Sequence, residues 1–129
     1  MDKVVHFEIP FDNKDRALKF YRDLFGWKIM QPPGMEGYWL ANTVETDERS
    51  MPKSPGAING GFMKRGDDVK TPLLIIKVAD IKEAQHDIAK GGGKITLATV
   101  PVGDFGLYAR FTDCEGNPMG LWQDVKKAA

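Results

Sequence analysis

Two side chains suited to acid–base chemistry lie near the start of the chain. His6 and Glu8 alternate with Val5, Phe7 and Ile9. This alternation is typical of a half-buried β-strand, whose successive side chains point to opposite faces of a sheet. An imidazole and a carboxylate on one face are close enough to cooperate in proton transfer. We therefore predict His6 and Glu8 as catalytic residues; the alternative is a hydrogen-bonded pair with no chemical role.

An amphipathic helix and three strands follow this first strand. Polar side chains at 12–15 offer a helix cap, and Gly26 supplies a stop. The apolar residues between them recur at helical spacing, so the helix is expected to pack on the apolar face of the strand. Strands are predicted at 27–30, 38–41 and 56–64.

The same pattern starts again at about Thr71. An apolar strand at 73–78 precedes a helix that opens on Asp80 with a glutamate three residues later, the order of a capping box. Three glycines at 91–93 end that helix, and strands are predicted at 94–97, 107–112 and 119–123.

This repeat of strand, helix and three strands predicts the fold class. We expect an α+β protein of two βαβββ modules in tandem, with mostly antiparallel curved sheets and helices outside. The chain is interpreted as one domain, residues 1–129, with half-modules at 1–66 and 70–125. Sheets of this kind leave concave faces available for a ligand.

Two longer runs carry a family resemblance. Residues 20–27 read Phe-Tyr-x-x-Leu-Phe-Gly-Trp, and residues 111–117 read Phe-x-Asp-x-x-Gly-Asn. With the first strand and the triple glycine, they resemble glyoxalase/bleomycin-resistance/dioxygenase-like members of the vicinal-oxygen-chelate superfamily over essentially the whole chain. The resemblance implies a fold and not a particular reaction.

The resemblance also implies four metal-ligand positions, two in each half. His6 matches the first. The second falls on Gly61 or Gly60, the third near Leu73 and the fourth on Gly120, and none of these residues can ligate a metal through its side chain. A catalytic divalent site normally takes at least three protein ligands. We therefore predict no metal ligand and no cofactor, with a divalent metal as the alternative.

Strand alternation selects further residues for the same face. Met63 flanks one glycine position and Trp122 the other, while Tyr108 and Arg110 alternate with apolar neighbours. We predict that Met63, Tyr108, Arg110 and Trp122 bind a small organic ligand in an aromatic, partly polar pocket. The alternative is that the aromatic side chains fill the core or a dimer interface, and that Arg110 pairs with a surface carboxylate.

Three functions remain open. The first is a metal-free protein that binds a small organic molecule. The second is a lyase, isomerase or dioxygenase-type enzyme, similar to lactoylglutathione lyase, that uses a divalent metal or the His6 and Glu8 pair as base. The third is a subunit or interaction module, and a homodimer is expected because members of this fold commonly pair.

Composition excludes other classes of partner. Eighteen basic and eighteen acidic residues cancel, so neither nucleic acid nor membrane binding is expected. A cytoplasmic location is the simplest interpretation of a start without a signal-like segment. Cys114, the single cysteine, is interpreted as a turn thiol rather than a nucleophile, and His86 as a surface residue.

Overall fold

The computed structural model describes residues 1–49 and 51–125. The chain divides into two units. We call residues 6–72 the first module; the second module begins at residue 73 and includes residues 1–5.

The first module contains one helix and the strands of a four-stranded sheet. Its strand order is β2-β3-β4-β1. The β2–β3 and β3–β4 pairs are antiparallel, and β1 pairs with β4 in parallel. The elements are β1 (Lys3–Phe11), of which residues 6–11 belong to this module, α1 (Lys14–Phe25), β2 (Lys28–Met30), β3 (Tyr38–Asn42) and β4 (Asn59–Lys64).

The second module repeats this arrangement. Its strand order is β5-β8-β7-β6, with β5 and β8 parallel and the other pairs antiparallel. The elements are β5 (Leu73–Lys77), α2 (Ile81–Lys90), β6 (Lys94–Val102), β7 (Gly106–Thr112) and β8 (Pro118–Asp124). The predicted α+β fold of two mostly antiparallel βαβββ modules is therefore confirmed.

Two strand boundaries differ from the predictions by more than one residue. Strand β4 begins at Asn59 and not at residue 56, and β6 continues to Val102 instead of ending at residue 97. The extension passes through Pro101, which lacks a backbone N–H group. Because β6 lies at the end of the strand order of its module, this proline is tolerated there.

Local signals place α1 against one face of its sheet. The Asn13 side chain accepts a hydrogen bond from the Arg16 backbone N–H at 3.0 Å, and Gly26 ends the helix with φ of 71°. Leu18 from the helix is buried with Phe62 from β4. Phe7 and Ile9 also pack against this core.

The second module also has a hydrophobic core between its helix and one face of its sheet. Ile81 of α2 is buried with Ala109 and Phe111 of β7 and with Leu121 of β8. In the part of the chain that the structure describes, no helix is long and apolar enough to cross a membrane.

Each sheet consequently has a helix-covered face and a second face, which we call the far face. Phe7 and Ile9 pack on the helix side, so alternation places His6 and Glu8 on the far face of the first module. In the second module, Ala109 and Phe111 pack on the helix side, which places Tyr108 and Arg110 on the far face. The predicted alternation of both strands is confirmed.

The Asp80 side chain caps the first turn of α2. The Asp80 carboxylate accepts hydrogen bonds from the backbone N–H groups of Lys82 at 3.1 Å and Glu83 at 3.0 Å. Replacing Asp80 by alanine should lower the free energy of unfolding by about 1 kcal/mol, because two N–H groups lose their acceptor. Urea denaturation measures this loss. Asp87→Ala, which removes the same charge from the last turns of the helix, should cost much less.

Candidate functional site

The far face of the first module contains an imidazole bonded to a phenol. His6 on β1 and Tyr38 on β3 lie on either side of β4 in the strand order. Their side chains meet across that strand, with His6 Nε2 and Tyr38 Oη 2.8 Å apart. One of the two groups donates, depending on the tautomer of the imidazole. The pair can therefore present either a donor or an acceptor.

The surroundings of His6 hold the imidazole in its neutral form. Burial lowers the pKa of His6 from 6.5 to about 4, because the imidazolium ion loses its hydration. At neutral pH the ring is uncharged and can form hydrogen bonds. A base with so low a pKa is poorly matched to proton abstraction at pH 7.

Glu8 occupies the next position on the same face. Its side chain is 2% exposed. The register places Glu8 opposite Gly61 of β4. His6 and Glu8 thus share a face as predicted, whereas the hydrogen-bond partner at His6 Nε2 is Tyr38.

Close approach of aromatic rings explains the paired glycines of β4. A Cβ atom added at Gly61 would overlap the phenol of Tyr38, and one added at Gly60 would overlap the ring of Phe7. The two rings therefore require glycine on opposite faces of the strand. Met63, two residues beyond Gly61, is buried.

The second module contains a related pair. Arg110 Nε donates a hydrogen bond to Tyr108 Oη at 2.8 Å, and the guanidinium group also lies 5.2 Å from the centre of the Tyr108 ring. A Cβ atom added at Gly120 would lie 2.9 Å from Ile75 Cγ1 and 3.5 Å from Tyr108 Oη. The space above Gly120 is thus already filled.

Trp122 lies beside Tyr108 in the sheet but is fixed by other contacts. The two residues are register partners on β8 and β7. The indole N–H of Trp122 donates to Asp124 Oδ1 at 2.7 Å. The ring also covers Gly106, where an added Cβ atom would overlap it. The polar end of the indole is therefore engaged within its own strand.

These residues do not fit a divalent metal. The implied second and fourth ligand positions, Gly61 and Gly120, lack space for a side chain, and the implied third, near Leu73, is apolar. Only His6 remains, and its Nε2 atom is bonded to Tyr38. Within residues 1–49 and 51–125, no three His, Cys, Asp or Glu side chains are grouped closely enough to hold an ion.

Tyr38 is the site residue that the sequence interpretation missed. The internal repeat contained a signal for it. Tyr38 lies two residues before Leu40, the register partner of Gly61. In the same way, Tyr108 lies two residues before Arg110, the register partner of Gly120. The structure thus brings together His6 with Tyr38, and Arg110 with Tyr108.

Cys114 is an exposed residue of the turn after β7, and His86 is exposed on α2.

Comparison of sequences matches the chain to a family model and to known proteins. Residues 3–40 match the family model described as bleomycin resistance protein-like N-terminal. The putative glyoxylase CFP32 of Mycobacterium tuberculosis is 30% identical over 122 residues, which cover 90% of this chain and 43% of that protein. The chain therefore spans less than half of that relative.

Solved structures share the fold at low sequence identity. A glyoxalase/bleomycin resistance protein/dioxygenase superfamily member from Vibrio splendidus 12B01 has a TM-score of 0.60 and 14% identity, covering 97% of this chain and 100% of that chain. A methylmalonyl-CoA epimerase variant from Streptomyces coelicolor, bound to 2-nitronate-propionyl-CoA, has a TM-score of 0.64 and 18% identity, covering 96% and 98%.

Together with the two βαβββ modules, these matches define the class of fold. The chain has the glyoxalase/bleomycin-resistance-like fold. Within that class it is similar to a putative glyoxylase in sequence and to an epimerase in fold.

The low pKa of His6 predicts a loss of stability in mild acid. The unfolded chain binds a proton at about pH 6.5, whereas the folded protein does so only near pH 4. The stability is therefore complete above pH 6.5 and is lost as the pH falls toward 4. Between pH 7 and pH 5 the free energy of unfolding should fall by about 2 kcal/mol through this group alone.

Denaturation of wild-type protein and His6→Gln at both pH values checks this expectation. Glutamine can still bond to Tyr38 but does not titrate, so its variant should lose about 2 kcal/mol less than wild type. His86→Gln serves as the control and should retain the wild-type dependence. Equal losses in wild type and His6→Gln would contradict the burial of the imidazole.

Proposed function

We propose that the protein binds a small organic molecule without a divalent metal. The observation that carries this proposal is the closed arrangement at Gly61, where Tyr38 fills the space for a ligating side chain and bonds to His6. A cytoplasmic location and a homodimer belong to the same proposal. The molar mass in solution would test the homodimer.

The chemistry of the two far faces suggests the class of ligand. The first module offers a phenol and a neutral imidazole, and the second offers a phenol, a guanidinium and an indole ring. Phenols and guanidinium groups bind carbonyl, hydroxyl and carboxylate oxygens, and indoles contact planar groups. A planar or mixed organic compound with several oxygen atoms therefore suits either of these two sets of residues, each considered by itself.

The comparisons support a ligand of this class. One family model is that of a bleomycin resistance protein, and one structural neighbour holds a coenzyme A thioester. Both names refer to organic molecules with many polar atoms. Bleomycin and methylmalonyl-CoA are consequently suitable probes.

Binding should be independent of metal. Untagged protein, dialysed against a chelator, should contain no stoichiometric metal by elemental analysis. In tryptophan fluorescence or calorimetric titrations with metal-free bleomycin and methylmalonyl-CoA, at least one should bind equally well with and without the chelator. A tightly held metal ion, or binding that appears only after Ni²⁺ or Mn²⁺ is added, would contradict the proposal.

The bound probe allows a test of Tyr38. Tyr38→Phe removes one hydroxyl group and should weaken binding roughly 2- to 10-fold, the value of one hydrogen bond. Tyr21→Phe provides a matched control, because Tyr21 lies on the helix side of the sheet. Its ring stacks on that of Trp27, with 4.9 Å between the ring centres. This control should leave the affinity unchanged.

Glu8 supports a second candidate function, that of an epimerase-type enzyme. Among the residues that the structure describes, Glu8 is a buried carboxyl group in the first module, on the same face as His6. A carboxylate shielded from water can remove a proton next to a carbonyl group. The fold neighbour from Streptomyces coelicolor is an epimerase.

Deuterium exchange distinguishes this enzyme from a binding protein. If Glu8 removes a proton, methylmalonyl-CoA in D₂O should gain deuterium at the carbon next to the thioester, as followed by NMR in the presence of a chelator. Glu8→Gln should abolish the exchange, whereas Glu115→Gln in the exposed turn should retain it. The absence of exchange with wild-type protein would rule out this candidate for that substrate.

A further inference from the structure

The two modules place a tyrosine at the same position relative to a glycine. Leu40 of β3 is the register partner of Gly61, and Tyr38 lies two residues earlier. Arg110 of β7 is the partner of Gly120, and Tyr108 lies two residues earlier. The repeat therefore extends beyond the order of elements to the side chains of the far faces.

Both tyrosines lean toward the glycine and bond to a nitrogen atom. The phenol of Tyr38 covers Gly61, and its hydroxyl group meets His6 Nε2 at 2.8 Å. The hydroxyl group of Tyr108 lies 3.5 Å from the Cβ position of Gly120 and accepts a hydrogen bond from Arg110 at 2.8 Å. The phenol of Tyr38 thus occupies the volume that a side chain at position 61 would otherwise take, whereas at Gly120 Ile75 fills that volume and Tyr108 is only in van der Waals contact.

In the first module this volume lies beside two potential metal donors. Glu8 is the register partner of Gly61, and His6 precedes Glu8 by two residues on the same face. A carboxylate at position 61 would join an imidazole and a carboxylate on the adjacent strand, which gives three donor side chains. Three protein ligands are the usual minimum for a catalytic divalent ion.

We propose that Tyr38, seated on Gly61 and bonded to His6, closes a latent metal site in the first module. The phenol takes the space of the missing ligand and bonds to the imidazole that would otherwise bind the ion. Removing the phenol and supplying a carboxylate should therefore open the site. This inference shares its metal-free premise with the proposed function but depends in addition on the pairing of Tyr38 with Gly61.

Calorimetric titration with Ni²⁺ tests the opening of the site. The double variant Tyr38→Ala/Gly61→Glu should bind one Ni²⁺ per chain, and adding His6→Gln should abolish that binding. Wild type and Gly61→Glu alone should show no saturable binding. Equal binding by Gly61→Glu and the double variant, or none by the double variant, would overturn the proposal.

Thermal unfolding tests the pairing even if Gly61→Glu does not fold. Gly61→Ala should lower the melting temperature by about 5 °C or more, because its Cβ atom overlaps the Tyr38 ring. In a Tyr38→Ala background the same change should lower it by less than half as much. Gly66→Ala is the control, since its Cβ atom would lie 3.6 Å from Asp68 Oδ1, an ordinary contact.

These results separate the two proposals. Additive effects of Gly61→Ala and Tyr38→Ala would overturn the pairing and leave a metal-free binding function intact. Stoichiometric Ni²⁺ binding by wild-type protein at His6 would overturn both.

Discussion

The close approach of aromatic rings to glycine backbone is the constraint on which the candidate site depends. Side chains in a sheet normally stand over their own strand, so a ring can lie across a neighbouring strand only where that strand carries no Cβ atom. Gly60 and Gly61 meet this condition on opposite faces of β4, under Phe7 and Tyr38. One ring completes the helix-side core, and the other reaches His6. The same pair of residues therefore serves stability and the polar site at once.

The second physical factor is the loss of water around His6. An isolated imidazole near neutral pH would be partly charged and would exchange protons readily. Desolvation removes the charge, and the contact with Tyr38 then joins two neutral groups. At neutral pH the pair carries no charge and retains directional hydrogen bonding toward oxygen and nitrogen atoms. This behaviour agrees with a site that recognises organic groups.

Local sequence signals were sufficient for the fold and for the faces of the strands. Alternation separates His6 from Phe7, and capping residues and glycines set the ends of both helices. The contact between His6 and Tyr38 was not accessible in this way, because it depends on the register of β3, β4 and β1. Alternation gives the face on which each side chain lies, whereas the partner opposite it is set by pairing between distant segments and is weakly specified in a glycine-containing strand such as β4.

Prediction of the site was limited for a related reason. The glycines at 61 and 120 were recognised as positions without a metal ligand, but a glycine does not indicate what occupies the vacated volume. The internal repeat carries that information, since Tyr38 and Tyr108 have equivalent positions. Composition alone could not separate Trp122 as a ligand contact from Trp122 as a ring fixed by Asp124.

The seating of Tyr38 on Gly61 also has an evolutionary consequence. A carboxylate introduced at position 61 collides with the phenol, whereas loss of the phenol alone leaves a cavity and an imidazole without its partner. Each change made alone should therefore lower the stability of the first module. Selection for stability consequently opposes either substitution made by itself.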